Sequence, residues 1–319
     1  MESKKYILPM IAACLLILLL SCGVPKMLVS AILFLETGRT VSLQDSAPEQ
    51  EPDGTLPTEA SQPEASRPPV PAEPPCFSAE DLSHIRMQYG CSYRPSLEPL
   101  LTQPLSWDLT GSEPTVLILH THTTESYAGT EDYHSRDTAE NMVSIGDQIA
   151  RVLETGGITV LHDTTFHDDP NYNTSYSQAR QTVQRYLAQY PSIRLVLDIH
   201  RDASGDAQEQ MVTSATAGGQ RCAQLMMVVG TDAGGNLHPD WQENLALALK
   251  LTAALEQENP GICRPINLRS ERFNMDLTTG SLLVEVGAAG NTQMEALIAA
   301  DALAQAILAL CRGANLHTS

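Results

Sequence analysis

The sequence predicts an α/β domain: a largely parallel sheet with helices on both faces. Three observations predict it. From Thr115 onward, short apolar runs alternate with longer segments whose apolar residues recur at helical spacing. The apolar runs are continuous rather than alternating, so their strands are expected to be covered on both sides. No internal repeat appears, which removes solenoids and propellers.

The elements follow in order. Thr115–His120 reads as a first buried strand running out into polar residues. Asn141–Glu154 places Met142, Ile145, Ile149 and Val152 on one helical face, and Gly156-Gly157 stops it. Ile158–Leu161 is a short strand, and Ser175–Tyr190 a helix closed by Pro191. Arg194–Ile199 and Gln224–Gly230 read as strands on either side of a loop region. Pro239–Gln257 is an Ala/Leu-rich helix, Ser281–Val286 a last buried strand, and Thr292–Cys311 a last apolar-faced helix. Cys76–Gly111 carries helix-like pieces (Ser78 to Tyr89) among prolines and is expected against the edge of this domain.

Composition divides the 319 residues into an anchor region (1–43), a Pro/Glu/Ser-rich linker with a domain lead-in (44–110), and a folded domain (111–315). Lys4 and Lys5 precede an apolar run from Tyr6 to Leu20, short of the ~20 residues a bilayer asks for. A second apolar stretch, Met27 to Leu35, allows a tilted span or an interfacial helix. Basic residues before such a run stay cytoplasmic, so the rest of the chain is expected outside, at the cell membrane. Leu19-Leu20-Ser21-Cys22 also resembles a bacterial lipobox, which would put a lipid on Cys22. From Gln44 to Pro75 too little apolar surface is present to offset the entropy of ordering, so a disordered, semi-extended spacer is expected.

Nineteen basic against 38 acidic residues give a net charge of −19, which argues against nucleic acid as a partner. Seven cysteines form no C-x-x-C pair, which argues against a zinc ribbon.

Chemistry concentrates at three strand ends, where open α/β sheets keep their working residues. The first strand runs into His120-Thr121-His122-Thr123-Thr124-Glu125-Ser126-Tyr127, the third ends in Asp198-Ile199-His200-Arg201-Asp202, and the last holds Glu285 between apolar neighbours. Two imidazoles and a carboxylate make a catalytic zinc site when a fourth position is left to water. His122 and Glu125, one turn apart, and His200 are the expected zinc ligands. Glu285 is the expected general base and Arg201 the expected carboxylate or oxyanion holder. Asp198 is placed to orient a ligand. His120 competes with His122, and Glu140, which would equally cap the first helix, competes with Glu125. His134, His162 and His167 read as loop residues. Each feature also has a duller reading: a chance H-x-x-E, a hydrogen-bonded strand-end histidine, or a Glu285 held in an ion pair with Arg201 or Arg272.

These three motifs, followed by Asn291-Thr292, resemble the stage II sporulation protein P family over roughly Thr115 to Cys311. The resemblance implies an amidase/zinc-carboxypeptidase-like domain that binds zinc. It implies peptidoglycan as substrate during sporulation engulfment, with the N-acetylmuramoyl-L-alanine amide as the bond cleaved and the peptide cross-link as a second candidate bond. It further implies stage II sporulation proteins D and M as partners at the membrane. The amidases' Asp-x-Gly-His-Gly loop does not precede the first histidine here. A zinc carboxypeptidase trimming stem peptides, or an inactive wall-binding scaffold, are the alternatives.

Overall fold

The computed structural model describes residues 77–105, 108–203 and 210–314. The expected anchor (1–43) and spacer (44–75) lie outside the described residues.

Seven strands form one sheet in the order β1-β8-β7-β9-β4-β2-β3: β1 (Met87–Tyr89), β2 (Val116–Leu119), β3 (Val160–His162), β4 (Leu195–Asp202), β7 (Leu225–Gly230), β8 (Ile266–Arg269) and β9 (Ser281–Ala288). Every neighbouring pair is parallel except β7 with β9. Two parallel blocks therefore meet back to back, and the largely parallel α/β sheet expected from the sequence is present. A small antiparallel hairpin, β5 (Ala215–Ala217) with β6 (Gln220–Cys222), stands apart from it.

Side-chain alternation sorts the helices. Val116, Ile118, Leu195, Leu197, Ile199, Leu282, Val284 and Val286 point to one face. There they meet α2 (Met142–Thr155), α4 (Trp241–Glu258) and α5 (Gln293–Ala314). The opposite face is thinner. Leu117, Leu119 and Val196 pack on Ala179 and Val183 of α3 (Ser175–Gln189), while Met226, Val228 and Leu283 meet only Phe273. At 25 cal/mol per Å² of apolar surface, the three-helix face supplies the larger share of stability.

The helix starts follow their sequence signals. Asn141 caps α2, its side chain accepting from the Val143 N–H at 2.9 Å. The stretch Gln293–Cys311 within α5 is long and apolar enough to cross a membrane, but 61% of it is buried inside the protein, as befits a core helix.

The lead-in is part of the sheet. β1 is an edge strand, with Met87, Gln88 and Tyr89 paired to Ile266, Asn267 and Leu268. Instead of a helix over Ser78–Tyr89, the chain makes a short 3₁₀ turn (Asp81–His84) and then this strand. Behind it, α1 (Leu97–Thr102) is held by Lys250 of α4, whose buried ammonium donates to the carbonyls of Leu100 and Leu101. That contact satisfies carbonyls a short helix leaves open.

Candidate active site

The site grows from register. His200 pairs with Glu285 across β4 and β9, and paired positions share a face, so Asp198, His200 and Glu285 all lie on the thinner side. The register then slips: Asp202 pairs with Ala288, not Gly287. Gly287 absorbs the slip with φ of +73°, and a Cβ there would sit 2.7 Å from the Ala223 side chain, so only glycine fits.

His122 and Glu125 arrive from the loop after β2, whose turn closes through the Glu125 N–H on the His122 carbonyl at 3.2 Å. Asp168 accepts from the Thr124 N–H (3.0 Å) and hydroxyl (2.6 Å), fixing the loop from one side. From the other, the Tyr127 hydroxyl donates to the Val286 carbonyl at 2.7 Å, tying the loop to the strand of Glu285. Asp198 accepts from both the N–H and the hydroxyl of Thr121 at 2.8 and 2.6 Å. The three motifs are thus bolted together by buried hydrogen bonds.

At the centre, His200 Nδ1 lies 3.5 Å from Glu125 Oε2. Its Nε2 lies 2.9 Å from Asp198 Oδ1, off the line of a hydrogen bond. The His122 and His200 rings meet edge-to-face at 5.4 Å. Burial alone would discharge His200, but the Asp198 and Glu125 carboxylates reverse this and raise it well above its ordinary value. Burial pushes Asp198 up, yet His200 and the Thr121 bonds win and hold it at about 2. Burial lowers His122. Glu285 shows the opposite outcome for an acid. Burial drives it up to about 8, and nearby His200 offsets only part of that.

Orphaned donors test whether a metal fits. His122 Nδ1, His200 Nε2 and Glu285 Oε2 are buried without a hydrogen-bond partner, an arrangement proteins avoid unless a ligand supplies one. Nitrogen and carboxylate donors are the set zinc takes. As placed, no three His, Cys, Asp or Glu side chains among the described residues converge closely enough to enclose an ion. The donors fit in type and burial.

The other expected residues fall elsewhere. Arg201 is buried and committed to the loop. Its Nε donates to the Ser126 carbonyl (3.0 Å), Nη2 donates to the Tyr133 carbonyl (2.8 Å), and Nη1 stands 3.6 Å from Glu125. It braces Glu125 from behind. Glu140 is exposed, with the Ser135 hydroxyl donating to it, and takes no part in the cluster. His120 points to the other face, where its Nε2 meets His162 Nε2 at 2.8 Å and His162 Nδ1 meets Asp147 at 2.9 Å. Burial lowers His120 to about 3, so the pair is neutral. His162, read from sequence as a loop residue, is the last residue of β3. A Cβ on Gly146 would lie 2.4 Å from His162 Nε2 and 2.8 Å from His120 Nε2. Gly146→Ala is therefore expected to cost about 1–3 kcal/mol of stability, read as a lower thermal midpoint. An unchanged midpoint would mean the imidazole pair gives way freely.

Two aromatic residues escaped the sequence reading. Tyr172, 55% exposed, stacks on His122 at 4.3 Å and 8°. Tyr176, at the start of α3, meets His122 edge-on at 5.5 Å. Their only sequence signal was the aromatic spacing in Tyr172-Asn173-Thr174-Ser175-Tyr176. Glu125, Tyr172 and Arg201 line one depression of about 260 Å³, and Glu285 and Tyr176 line another of about 300 Å³.

The curated stage II sporulation protein P of Bacillus subtilis (strain 168) is 30% identical over 211 residues, 61% of this chain. The chain spans about half the length of that relative (50%). Among solved structures, the N-acetylmuramyl-L-alanine amidase Ami1 of Mycobacterium smegmatis is 13% identical. It covers 64% of this chain and 98% of its own, with a TM-score of 0.40. The CwlD amidase of Clostridioides difficile, solved with the GerS lipoprotein, is 12% identical over 64% and 96%, with a TM-score of 0.39. The family model for stage II sporulation protein P matches residues 36–308, reaching well upstream of Thr115 and taking in β1 and α1. With that match over most of its length, the chain belongs to the stage II sporulation protein P family.

Proposed function

We propose that the chain is a membrane-tethered, zinc-dependent peptidoglycan hydrolase that cleaves the amide between N-acetylmuramic acid and L-alanine during sporulation. The observation that carries the reading is the pair His200 and Glu285, in register on adjacent strands, each with a buried atom left without a partner. Sporulation and the wall come from family membership. The choice of the amide bond, and stage II sporulation proteins D and M as partners, come from the family resemblance alone.

His122, Glu125 and His200 are the residues that would hold zinc, and Asp198 would orient His200. Zinc, when bound, polarises a scissile carbonyl and lowers the pKa of water. The remaining roles belong to the chain. Glu285 takes a proton from the attacking water and hands it to the leaving amine nitrogen. Its burial places its pKa at about 8, near the range where an acid can both accept and return a proton. Arg201 fixes Glu125, and Tyr172 and Tyr176 shield His122 from bulk water.

Product analysis tests the reading. Purified full-length chain, incubated with isolated wall, should release intact stem peptides and leave glycan strands whole, and a chelator should stop it. Release of single amino acids would indicate a carboxypeptidase, and release of cross-link fragments an endopeptidase. No release, with or without zinc, would leave a wall-binding scaffold.

A further inference from the structure

The thinner face of the sheet is unevenly covered. α3 protects the β2-β3-β4 half, while on the half made by β9, β7, β8 and β1 the only apolar side chain among the described residues that packs over Met226, Val228 and Leu283 is Phe273. Register sets what this open floor displays. Leu283 pairs with Val228, Val228 with Asn267, and Asn267 with Gln88, so the four share the face of Glu285. Arg269, two residues after Asn267, lies on that face as well. The result is the depression of about 300 Å³ beside Glu285, with Gln88, Asn267 and Arg269 on the floor and Arg264 and Asp202 at its side.

This floor is polar for a reason other than solubility. Asn267 is only 8% exposed, and its Oδ1 has no partner. A buried amide oxygen costs stability unless something donates to it. Arg269 is bound through Nε to Glu271 at 3.3 Å, and Arg264 through Nη1 to Asp202 at 2.7 Å. The other guanidinium N–H groups of each remain for a ligand. Each guanidinium is thus paired with one carboxylate, so what the spot offers an anion is not net charge but the N–H groups that Glu271 and Asp202 leave open. Two guanidinium edges with open N–H groups beside the base, an unmet acceptor and an open strand face together describe a site for an acidic peptide.

We propose that this depression is the subsite for the peptide side of the substrate and that it selects peptides carrying a carboxylate. Arg269 and Arg264 hold the carboxylate, and Asn267 Oδ1 accepts a peptide N–H. The inference rests on the hydrolase reading for its orientation, since Glu285 marks where the scissile amide lies, but binding needs no turnover.

Full-length chain would be titrated with N-acetyl-L-alanyl-D-glutamate and with its diamide. The acid should bind roughly 10- to 100-fold more tightly, the range of a charge-assisted pair. Arg269→Gln should abolish that preference, Arg269→Lys should keep part of it, and Arg151→Gln, on the exposed face of α2, should leave it intact. Asn267→Ala should weaken both peptides alike. Thermal midpoints on each variant exclude simple unfolding. Equal binding of acid and diamide by the parent chain, or a preference that survives Arg269→Gln, overturns the subsite. An Arg269-dependent preference in a preparation that digests no wall supports the subsite and counts against the hydrolase reading alone.

Discussion

Glu285→Gln should fold, keep whatever metal the parent chain binds, and lose wall digestion by about 10²–10⁴-fold, the usual worth of a general base. The substitution retains shape and removes basicity. The change should also stabilise the metal-free protein at high pH. A carboxyl raised to about 8 in the folded state binds a proton that the unfolded chain gives up near its ordinary value of 4.5. Stability tied to Glu285 is therefore full below about 4.5 and is lost as pH climbs through about 8. Glutamine has no proton to lose, so the variant's thermal midpoint should exceed the parent's at pH 9 and match it near pH 5. If Glu285 is instead an ionised ion-pair partner, the variant will melt lower at every pH and digest wall at near-normal rate. That pattern would end the proposed mechanism.

Metal content should collapse in His122→Ala and His200→Ala, because one of three protein ligands is removed in each case. Glu140→Ala should retain metal in full, since that side chain lies on the surface beside Ser135. Glu125→Ala should lose metal and stability together, for it also strips Arg201 of its buried carboxylate at 3.6 Å. Acid should oppose loading. Asp198 and Glu125 keep a proton on His200 well above the ordinary imidazole range, and a metal must displace that proton. Zinc affinity, followed by equilibrium dialysis, should rise with pH through neutrality and beyond. Full zinc retention in Glu125→Ala with loss in Glu140→Ala would reverse the ligand assignment.

The sequence reached the buried strands because apolar runs such as Val116-Leu117-Ile118-Leu119 admit few other readings. It missed β8 for the converse reason. Ile266-Asn267-Leu268-Arg269 alternates apolar with polar, the pattern of a strand with one open face, and lacks the continuous apolar run that marks the doubly covered strands. The antiparallel joint of β7 and β9 has no local signature at all. His120 competes with His122 in the sequence because both follow the same strand, yet β2 ends at Leu119, His120 faces α2, and His122 lies in a turn where alternation no longer applies. The charge of Arg201 suggests a holder for substrate, but its guanidinium N–H groups go to the carbonyls of Ser126 and Tyr133, 75 and 68 residues earlier, which no local pattern announces. The pairing of His200 with Glu285 was legible as type and order; only register shows that they share a face.

The place where β1 enters the sheet has a mechanical meaning. Residues 77–86 already pack on the domain, with Ile85 buried and the Gln257 amide donating to Asp81, and β1 then lies parallel to β8, so a load that reaches β1 runs down the strand axis and shears the ladder. The Arg86 carbonyl accepting from Ile266 and the Gly90 N–H donating to Leu268 are the two outer rivets, at 2.8 and 2.7 Å. The grip of Lys250 on α1 is the next clamp along the chain. Asn267 and Arg269 sit on the strand that bears this load directly. A load that reaches β1 is thus passed to the floor beside Glu285 through one hydrogen-bonded strand pair.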